Sequence, residues 1–379
     1  MKRTLLIISL TLWVLPSFTA CGQQGNTTTL PNDPEQLRQD IGEMLLVGFR
    51  GTTADSTHHI VRDIRQYHVG GVILFEYDSP SGRHHRNITS PQQLQTLCRY
   101  LQGLTPEPLF ISIDQEGGYV ARLKSRDGFP ASASAYATAQ QGVESVRANA
   151  HTVAQMLHEA GINLNFAPCV DVNVNHACPV IGKIERSFSD NPQVVTQCAG
   201  IWVEEQWQQG VVACLKHFPG HGSARGDTHA GLVDVSQSWQ RYELIPYRDL
   251  IATGKVDMVM VAHVINTAID TLPASLSPKT IRELLRDSLG FGGVVISDDL
   301  AMGAIAKQYG FEETLRLAIL AGCDLLCLSN NGTAPYDPDL VPKAVQAIEQ
   351  MVADGTLSAQ EIHASAQRIR TLKAKLTHK

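Results

Sequence analysis

The sequence has no excess of basic residues. Beyond its first twenty residues, it also has no apolar segment long enough to span a membrane. Lys and Arg number 31 and Asp and Glu number 37 among 379 residues, which gives a formal net charge of −6. Domains that bind nucleic acid usually carry a basic face, so this composition argues against a nucleic-acid partner. After residue 20 no apolar run reaches the roughly 20 residues that a membrane-spanning helix needs.

The cysteines do not form the pattern of a disulfide framework. Seven follow Cys21, an odd number, and a chain with 43% hydrophobic residues can build a core without cross-links. Cys323 and Cys327 lie on one predicted strand, about 13 Å apart and too far to bond. Cys169 and Cys178 could be bridged across a loop. No Cys or His spacing is typical of a zinc site, so we predict neither a metal nor a cofactor.

The first twenty residues are typical of a signal peptide. Two basic residues precede an apolar run over residues 5–14. Residues 18–21 (FTAC) resemble a lipoprotein processing site, although Phe stands three before the cysteine, where Leu is usual. This predicts that residues 1–20 are removed, that Cys21 is lipidated, and that residues 21–33 form a flexible tether. The protein would then be exported and anchored to a bacterial membrane, on its periplasmic or outer side.

Eight apolar runs, most of them separated by helical patterns, predict the fold. Strands that alternate with helices indicate a parallel sheet with helices outside, and eight units fit a (β/α)8 barrel. A doubly wound open sheet is the alternative, but no G-x-G-x-x-G follows an early strand. We therefore predict one TIM-like barrel over residues 34–379, closed by C-terminal helices. The runs cover residues 44–49, 69–75, 108–115, 163–172, 211–218, 258–264, 293–300 and 324–330.

Several helix ends are also predicted. Gly161 ends a helical pattern as a C-terminal cap, and Ser277 precedes another as its N-cap, with Pro278 at the first helical position. Residues 341–379 are typical of two helices. Residues 79–91 are predicted to form a surface loop near the active face.

Residues 211–232 are the stretch on which the functional prediction rests. An apolar, β-branched run is followed by a loop containing Pro and three Gly. Lys216, His217, His221, Asp227 and His229 fall within fourteen residues of one another. Such a density of titratable groups just past a buried strand indicates chemistry. In a barrel, the C-terminal strand ends form the catalytic face, so polar residues after the other strands should meet there.

Four motifs together resemble family 3 glycoside hydrolases, in the bacterial β-N-acetylglucosaminidase branch. K-H-F-P-G-H-G is matched at residues 216–222 and is followed by D-x-H at 227–229. The motif D-Q-E-G-G-x-V-x-R-L is matched at residues 114–123, R-S-F-S at 186–189, and S-D-D-L-x-M at 297–302. Ser223 and Tyr119 depart from the residues common in the family, Asp and Arg. The resemblance runs from about residue 37 to about residue 331, and it also implies the barrel.

The resemblance implies a retaining mechanism and its groups. Asp298, the first carboxylate of the Asp-Asp pair, would attack the anomeric carbon, while Asp299 would have a structural role. Asp227 and His229 would form the acid/base dyad, on a loop that could swing in when substrate binds. The groups implied to hold the terminal sugar are Asp114 as acceptor and, as donors, Arg122, Arg186, Lys216 and His217. Glu116 is expected to support its loop.

The predicted function is an exo-β-N-acetylglucosaminidase that acts on peptidoglycan fragments. The alternatives are a β-glucosidase or β-xylosidase of the same family, or an inactive sugar-binding lipoprotein. The Asp-x-His pair argues against the glucosidase, which is expected to use a carboxylate as acid. Because a histidine does not repel phosphate, phosphate instead of water as acceptor is a further hypothesis. An anhydromuropeptide, a plain muropeptide and a chitin oligomer all remain open as substrates, and a monomer is assumed.

Overall fold

The computed structural model describes residues 33–332 and 334–376. The predicted signal peptide, the lipidated Cys21 and all but the last residue of the tether lie outside this range. Within the described residues, no helix has both the length and the apolar character to cross a membrane. The seven cysteines of this range are all buried and unpaired.

Eight parallel strands form a closed barrel, which confirms the predicted fold. Strands that follow one another along the chain also lie side by side in the sheet. A bridge between Ile296 and Leu325 joins the seventh strand to the eighth. Each strand lies inside one of the predicted apolar runs. The strands are β1 Leu45–Gly48, β2 Gly71–Ile73, β3 Phe110–Ile113, β4 Leu164–Asn165, β5 Val212–Phe218, β6 Met258–Val261, β7 Val294–Ser297 and β8 Leu326–Leu328.

Helices surround the barrel and cover the outer faces of its strands. Every residue of the eight barrel strands is buried, as expected when helices cover one face and barrel side chains fill the other. The helices are Pro34–Glu43, His59–Gln66, Pro91–Gln102, Ala135–Gln140, Val143–Ala160, Pro192–Gln208, Ile245–Ile251, the π-type Lys279–Ser288, Gly303–Tyr309, Phe311–Ala321, Leu340–Ala353 and Ala359–Ala374.

The helix ends follow local chemistry that the sequence displays. Gly161 has a φ of 80°, a left-handed conformation that glycine adopts without penalty, and its N–H closes the preceding helix. Ser277 Oγ accepts a hydrogen bond from Thr280 N at 3.0 Å and caps the next predicted helix. The cap at Gly161 and the pair of C-terminal helices are confirmed, whereas the helix after Ser277 begins at Lys279 and not, as predicted, at Pro278.

A buried carboxylate attaches the last helix to the barrel. Asp324, just before β8, is fully buried and accepts hydrogen bonds from Arg286 Nη2 at 2.6 Å and Val295 N at 2.8 Å. Ser365 and Arg368 of the last helix donate to its other oxygen at 3.0 and 3.1 Å. Four donors compensate the desolvation of this charge, so helix and strand are held in one arrangement.

Three small sheets accompany the barrel, and two of them, both hairpins, contribute residues to the wall of a cavity. One hairpin pairs Tyr77–Asp78 with Arg83–His84, and a second pairs Gln115–Gly117 with Val120–Ala121. A three-stranded sheet joins Val233–Asp234, Val264–Asn266 and Asp270–Pro273. The first hairpin contains part of the predicted surface loop, residues 79–91, and Ser79 and Pro80 line the cavity.

Candidate active site

A cavity of about 600 Å³ opens at the C-terminal face, where polar residues follow the strands. Every predicted catalytic or sugar-binding residue lines it except Asp227, which is hydrogen-bonded to one that does. Its floor is apolar and comes from barrel strands and the segments that continue them, while its walls come from the loops. The floor residues include Ile73, Phe166, Met260 and Cys327.

Lys216 lies at the centre of a buried network of charges. Its side chain is 2% exposed, and Nζ lies 2.7 Å from Asp114 Oδ1 and 2.6 Å from Glu116 Oε1. Burial alone would lower the pKa of Lys216, but these two carboxylates raise it above its ordinary value. Lys216 therefore stays charged.

Glu116 binds a second cation, Arg186. The guanidinium donates to both carboxylate oxygens, from Nε at 2.8 Å and Nη2 at 2.7 Å. Burial acts to raise the pKa of Glu116, but Arg186 and Lys216 lower it to about 2. The expectation that Glu116 only supports its own loop was therefore too narrow, since it positions two of the predicted sugar-binding cations.

Arg122 lies beside Asp114 and keeps hydrogen-bond donors free. Its Nη2 is 3.5 Å from Asp114 Oδ2, and its Nε is 3.7 Å from Glu76 Oε2, which is too long for a hydrogen bond. Nε is buried and has no hydrogen-bond partner within the described part of the chain. A ligand hydroxyl or carbonyl oxygen would satisfy this donor.

His217 is fixed by neighbours on both ring nitrogens. Arg186 Nη2 lies 3.0 Å from Nε2. A guanidinium has no acceptor, so Nε2 accepts, and Nδ1–H donates to Asp171 Oδ2 at 2.7 Å. His217 was predicted to be a donor to the sugar. In this structure its outward nitrogen is instead an acceptor, because Arg186 already donates to it.

Cys169, Asp171 and His217 offer ligand atoms that lie within 4.8 Å of one another, the spacing of a metal site. Their chemistry suits a hydrogen-bonded cluster better. Burial raises the pKa of the Cys169 thiol well above its ordinary value, whereas a metal needs the thiolate. Asp171 already accepts from His217 and, at 2.7 Å, from His221 N. Asp171 thus holds His217 at the end of β5 and the backbone of His221 in the loop that follows.

The adjacent carboxylates Asp298 and Asp299 have opposite electrostatic surroundings. Burial opposes the charge on both. The pKa of Asp298 is nevertheless lowered, because His263, His217 and His229 face it. Burial raises the pKa of Asp299 despite hydrogen bonds from Ser329. Asp298 is thereby kept ionised at the cavity wall.

Asp299 joins the ends of the last two strands. It accepts from Ser329 N at 3.0 Å and from Ser329 Oγ, beyond β8, and from Ala301 N at 3.2 Å. His263 Nε2 donates to the carbonyl oxygen of Asp299 at 2.9 Å, and its Nδ1 lies within hydrogen-bond distance of Ser275 Oγ, at 2.7 Å. These contacts hold the turn that presents Asp298.

Asp227 and His229 form a hydrogen-bonded pair at the edge of the cavity. His229 Nδ1 lies 2.7 Å from Asp227 Oδ1, which also accepts from His229 N at 2.8 Å. His229 is 68% exposed, yet it lines the same cavity as Asp298. A movement of this loop on substrate binding stays a prediction; in this structure His229 already lines the cavity.

The loop of Asp227 and His229 rests on the helix Gly303–Tyr309. Ala304 N donates to Thr228 O at 3.2 Å, and Lys307 Nζ to Ala230 O at 3.4 Å. A Cβ on Gly303 would lie 2.7 Å from His229 O, closer than any real contact of this kind. Only glycine lets the backbone of the loop approach this helix so closely.

The buried carboxyl of Glu243 lies beneath the other end of this loop. Its Oε1 accepts from Gln240 N at 2.9 Å, and Oε2 would be 2.8 Å from a Cβ at Gly220. Burial raises the pKa of Glu243 to about 8. The sequence gives no sign of this group, because its burial depends on the fold.

Comparison with known proteins assigns the family. Residues 36–372 match the family model described as the glycosyl hydrolase family 3 N-terminal domain. The chain belongs to glycosyl hydrolase family 3. This confirms the predicted family and the predicted enzyme class, a glycoside hydrolase.

This family 3 hydrolase is similar to named proteins and to proteins whose structures have been solved. A β-hexosaminidase of Tolumonas auensis is 36% identical over 293 residues, covering 76% of this chain and 83% of the relative. The structure of a β-N-acetylglucosaminidase from Paenibacillus sp. FPU-7 matches with a TM-score of 0.81 and 36% identity. That match covers 90% of this chain, which spans only 62% of the Paenibacillus chain. A β-N-acetylhexosaminidase from Beutenbergia cavernae matches at a TM-score of 0.79 and 26% identity, covering 89% of this chain and 98% of the other.

Replacing Gly303 by alanine should displace the loop of His229 in this family 3 hydrolase. The added Cβ forces the His229 backbone away, and a misplacement of about 1 Å at a reacting group can cost roughly a hundredfold in rate. We expect kcat/KM for a chromogenic glycoside to fall while the melting temperature changes little. Gly292→Ala is the matched control, since its Cβ would meet open space. Equal activity of both variants would show that this contact does not position the loop.

Glu243 should make the stability of the protein depend on pH. Its pKa is raised from 4.5 to about 8, so between these values the folded protein holds a proton that the unfolded chain releases. The free energy of unfolding should therefore fall as pH rises, by about 1.4 kcal/mol per pH unit from this group. Urea unfolding at pH 5, 6, 7 and 8 should show a smaller decline in Glu243→Gln than in the wild type. Parallel curves for the two proteins would contradict this assignment.

Proposed function

We propose that the protein is a retaining exo-β-N-acetylglucosaminidase. The observation that carries the proposal is that Asp298 and His229 line one cavity, with Asp227 2.7 Å from His229 Nδ1. A carboxylate and a separate proton donor in one sugar-sized cavity are the two groups that retaining glycoside cleavage needs.

In the first step, an oxygen of Asp298 attacks the anomeric carbon as the glycosidic bond breaks. The lowered pKa of Asp298 keeps it in the nucleophilic, ionised form. The leaving oxygen takes its proton from His229 Nε2, because Asp227 already holds the hydrogen on Nδ1. The products are a glycosyl ester on Asp298 and a free alcohol.

In the second step, water attacks the anomeric carbon of this ester. Neutral His229 takes a proton from the water through Nε2, the new C–O bond forms, and the bond to Asp298 breaks. The sugar leaves with its original configuration. His229 is again protonated and Asp298 is again a carboxylate.

The charged network of the cavity suits the terminal sugar. Arg122 and Lys216 are donors for hydroxyl or carbonyl oxygens, and Asp114 is an acceptor for hydroxyl groups. Glu116 holds Arg186 beside these groups, and Asp171 holds His217. The apolar floor closes the cavity below, which supports removal of one sugar from a chain end.

The names of the relatives favour N-acetylglucosamine as that sugar. They are a β-hexosaminidase and a β-N-acetylglucosaminidase, each 36% identical to this chain. We extend this substrate to the present protein, with peptidoglycan fragments as its source. A β-glucosidase or β-xylosidase and an inactive sugar-binding protein are the competing functions.

Turnover of three p-nitrophenyl β-glycosides should test the proposal. We expect the N-acetylglucosaminide to be hydrolysed and the glucoside and xyloside to be poor substrates. Asp298→Asn should abolish turnover, and His229→Ala should lower kcat by about 10² to 10⁴, the usual contribution of an acid/base group. Proton NMR of the sugar released first should show the β anomer, as retention requires. Product analysis after turnover in phosphate buffer should reveal any sugar phosphate.

His176→Ala is a matched control for His229. His176 is 69% exposed, lies 3.7 Å from Asp190, and does not line the cavity. Its replacement should leave kcat unchanged. A preference for the glucoside would contradict the proposed substrate. Full activity of His229→Ala would contradict the role of the dyad, and unchanged turnover of Asp298→Asn would contradict its role as nucleophile.

We also propose that the protein is exported and lipidated on Cys21. Support comes from the N-terminal sequence, in which two basic residues precede an apolar run over residues 5–14 and FTAC stands at residues 18–21. Expressed in a bacterium with an alkyne-tagged palmitate, the protein should be labelled and should sediment with membranes. Cys21→Ser should lose both properties while Gln23→Ala keeps them. An unlabelled wild-type protein would contradict the proposal.

A further inference from the structure

A second cavity, of about 290 Å³, lies at the end of the barrel opposite the catalytic face. Residues of three helices line it, namely Lys279–Ser288, Phe311–Ala321 and Ala359–Ala374. Gly322, which follows the second of these helices and precedes β8, also lines it. Because barrel reactions take place at the C-terminal ends of the strands, this cavity is separate from the proposed site of cleavage.

Arginines supply most of the charge that lines this second cavity. Arg282 and Arg286 stand four residues apart on one helix, and Arg368 lines the cavity from the last helix. In the described part of the chain, Glu361 is the one carboxylate among the lining residues. We call it the arginine cavity and define it by these four residues. Three cations and one anion give it a positive balance on a protein whose net charge is −6.

Hydrogen bonds to the protein fix two of the three guanidinium groups. Arg286 Nη1 donates to the carbonyl oxygens of Phe291 and Gly293 at 3.3 and 3.2 Å. Its Nη2 donates to Asp324 Oδ2 at 2.6 Å, and Arg368 Nε donates to Oδ1 of the same carboxylate at 3.1 Å. Both cations are therefore in position before a ligand binds, which lowers the entropic cost of binding it.

Each guanidinium group also keeps donors that the protein does not use. Within residues 33–332 and 334–376, no hydrogen bond is made by Arg282 Nη1, Arg286 Nε or Arg368 Nη2. A guanidinium has five N–H donors and no acceptor, so only an acceptor can satisfy these groups. An anion with several oxygens would do so from one position.

The first turn of the last helix adds backbone donors beside these arginines. Gln360 and Glu361 line the cavity, and the N-cap residue Ser358 forms no side-chain cap. In the described ranges, the N–H groups of Ala359, Gln360 and Glu361 have no hydrogen-bond partner. Such a helix end is not by itself a site, but here it borders a cavity that three arginines line. Its dipole and its free N–H groups favour the same sign of ligand charge.

The carboxylate of Glu361 already pairs with one of the three arginines. Its Oε1 accepts from Arg282 Nη2 at 2.9 Å, and both side chains are 42% exposed. An ion pair this exposed contributes little to stability, because water screens it and both side chains lose freedom. A ligand with more acceptor oxygens can therefore displace Glu361 from Arg282.

We propose that the arginine cavity binds a small, soluble phosphate monoester. A phosphate group offers acceptor oxygens in several directions, and guanidinium groups from two helices approach it from different sides. A planar carboxylate would satisfy fewer of these donors. The volume of about 290 Å³ leaves room for a small organic group beside the phosphate. This inference does not depend on the glycosidase function.

The recessed position of Arg286 favours a free molecule over a lipid headgroup. Its side chain is only 17% exposed, so the phosphate must enter between the helices to reach it. A small molecule can do this, whereas a headgroup is held at the membrane surface. Vesicles that contain phosphatidic acid should therefore fail to displace a soluble monoester, and displacement by them would overturn the soluble source.

Calorimetric titration with glycerol 3-phosphate tests the proposal. The wild type should bind it with a Kd of about 1 mM or lower, and it should not bind glycerol, which lacks the charge. The catalytic cavity also contains cations, so binding there must be distinguished from binding in the arginine cavity. Only binding in the arginine cavity should depend on Arg282 and Glu361.

Two variants change the arginine cavity in opposite directions. Arg282→Ala should weaken binding about tenfold, as expected for a lost charge-assisted hydrogen bond. Glu361→Gln should tighten binding about threefold to fivefold, because the competing carboxylate is removed while all three cations remain. Arg286 and Arg368 are left unchanged because they compensate the buried charge of Asp324.

The ion pair of Arg316 and Glu313 provides the matched controls. Arg316 donates to both oxygens of Glu313, at 2.7 and 2.6 Å, on a helix that also contributes to the cavity, but neither residue lines it. Arg316→Ala and Glu313→Gln should leave the Kd unchanged. No binding by the wild type, or an affinity that Arg282→Ala does not lower, would overturn the proposal. If Arg282→Ala fails to fold, Glu361→Gln decides alone, and an unchanged Kd would then contradict the site.

Discussion

One buried ammonium group organises the cavity. Lys216 is 1% exposed, and a cation removed from water is stable only when opposite charges surround it. Asp114 and Glu116 supply those charges, and Glu116 also binds Arg186 through both carboxylate oxygens. Strand β5, the hairpin after β3 and the loop after β4 are therefore locked together. The predicted sugar-binding groups are fixed in place by the same contacts that compensate the buried charge.

Local surroundings divide the work between two adjacent carboxylates. Asp298 faces three histidines, which lower its pKa, while Asp299 is turned towards the end of β8, where burial raises its pKa. Residues of one type, adjacent in sequence, are thereby held in different electrostatic surroundings. His263 connects the two, since it faces Asp298 and donates to the carbonyl oxygen of Asp299.

The barrel and the loops contribute different properties. The barrel supplies a rigid floor and presents Asp298 and Lys216 at strand ends, where small errors in position are suppressed by packing. The proposed acid/base pair lies on a loop, which can vary without disturbing the barrel. In this family 3 hydrolase the barrel therefore fixes Asp298, while the position of His229 depends on its loop.

The sequence by itself determined the eight strands, the cap at Gly161 and the residues that meet at the barrel mouth. Periodicity and capping are local properties, and parallel strands bring their C-terminal ends to one face. Only the tertiary structure decided that Glu116 binds Lys216 and Arg186, that Nε2 of His217 accepts a hydrogen bond, and that Glu243 is buried. These outcomes depend on atoms brought together from distant parts of the chain, and no local pattern records which side chain faces which. The physical reason is that the register of a strand positions only its backbone. Which side chains form ion pairs depends on charge and desolvation among groups that the closed barrel brings together.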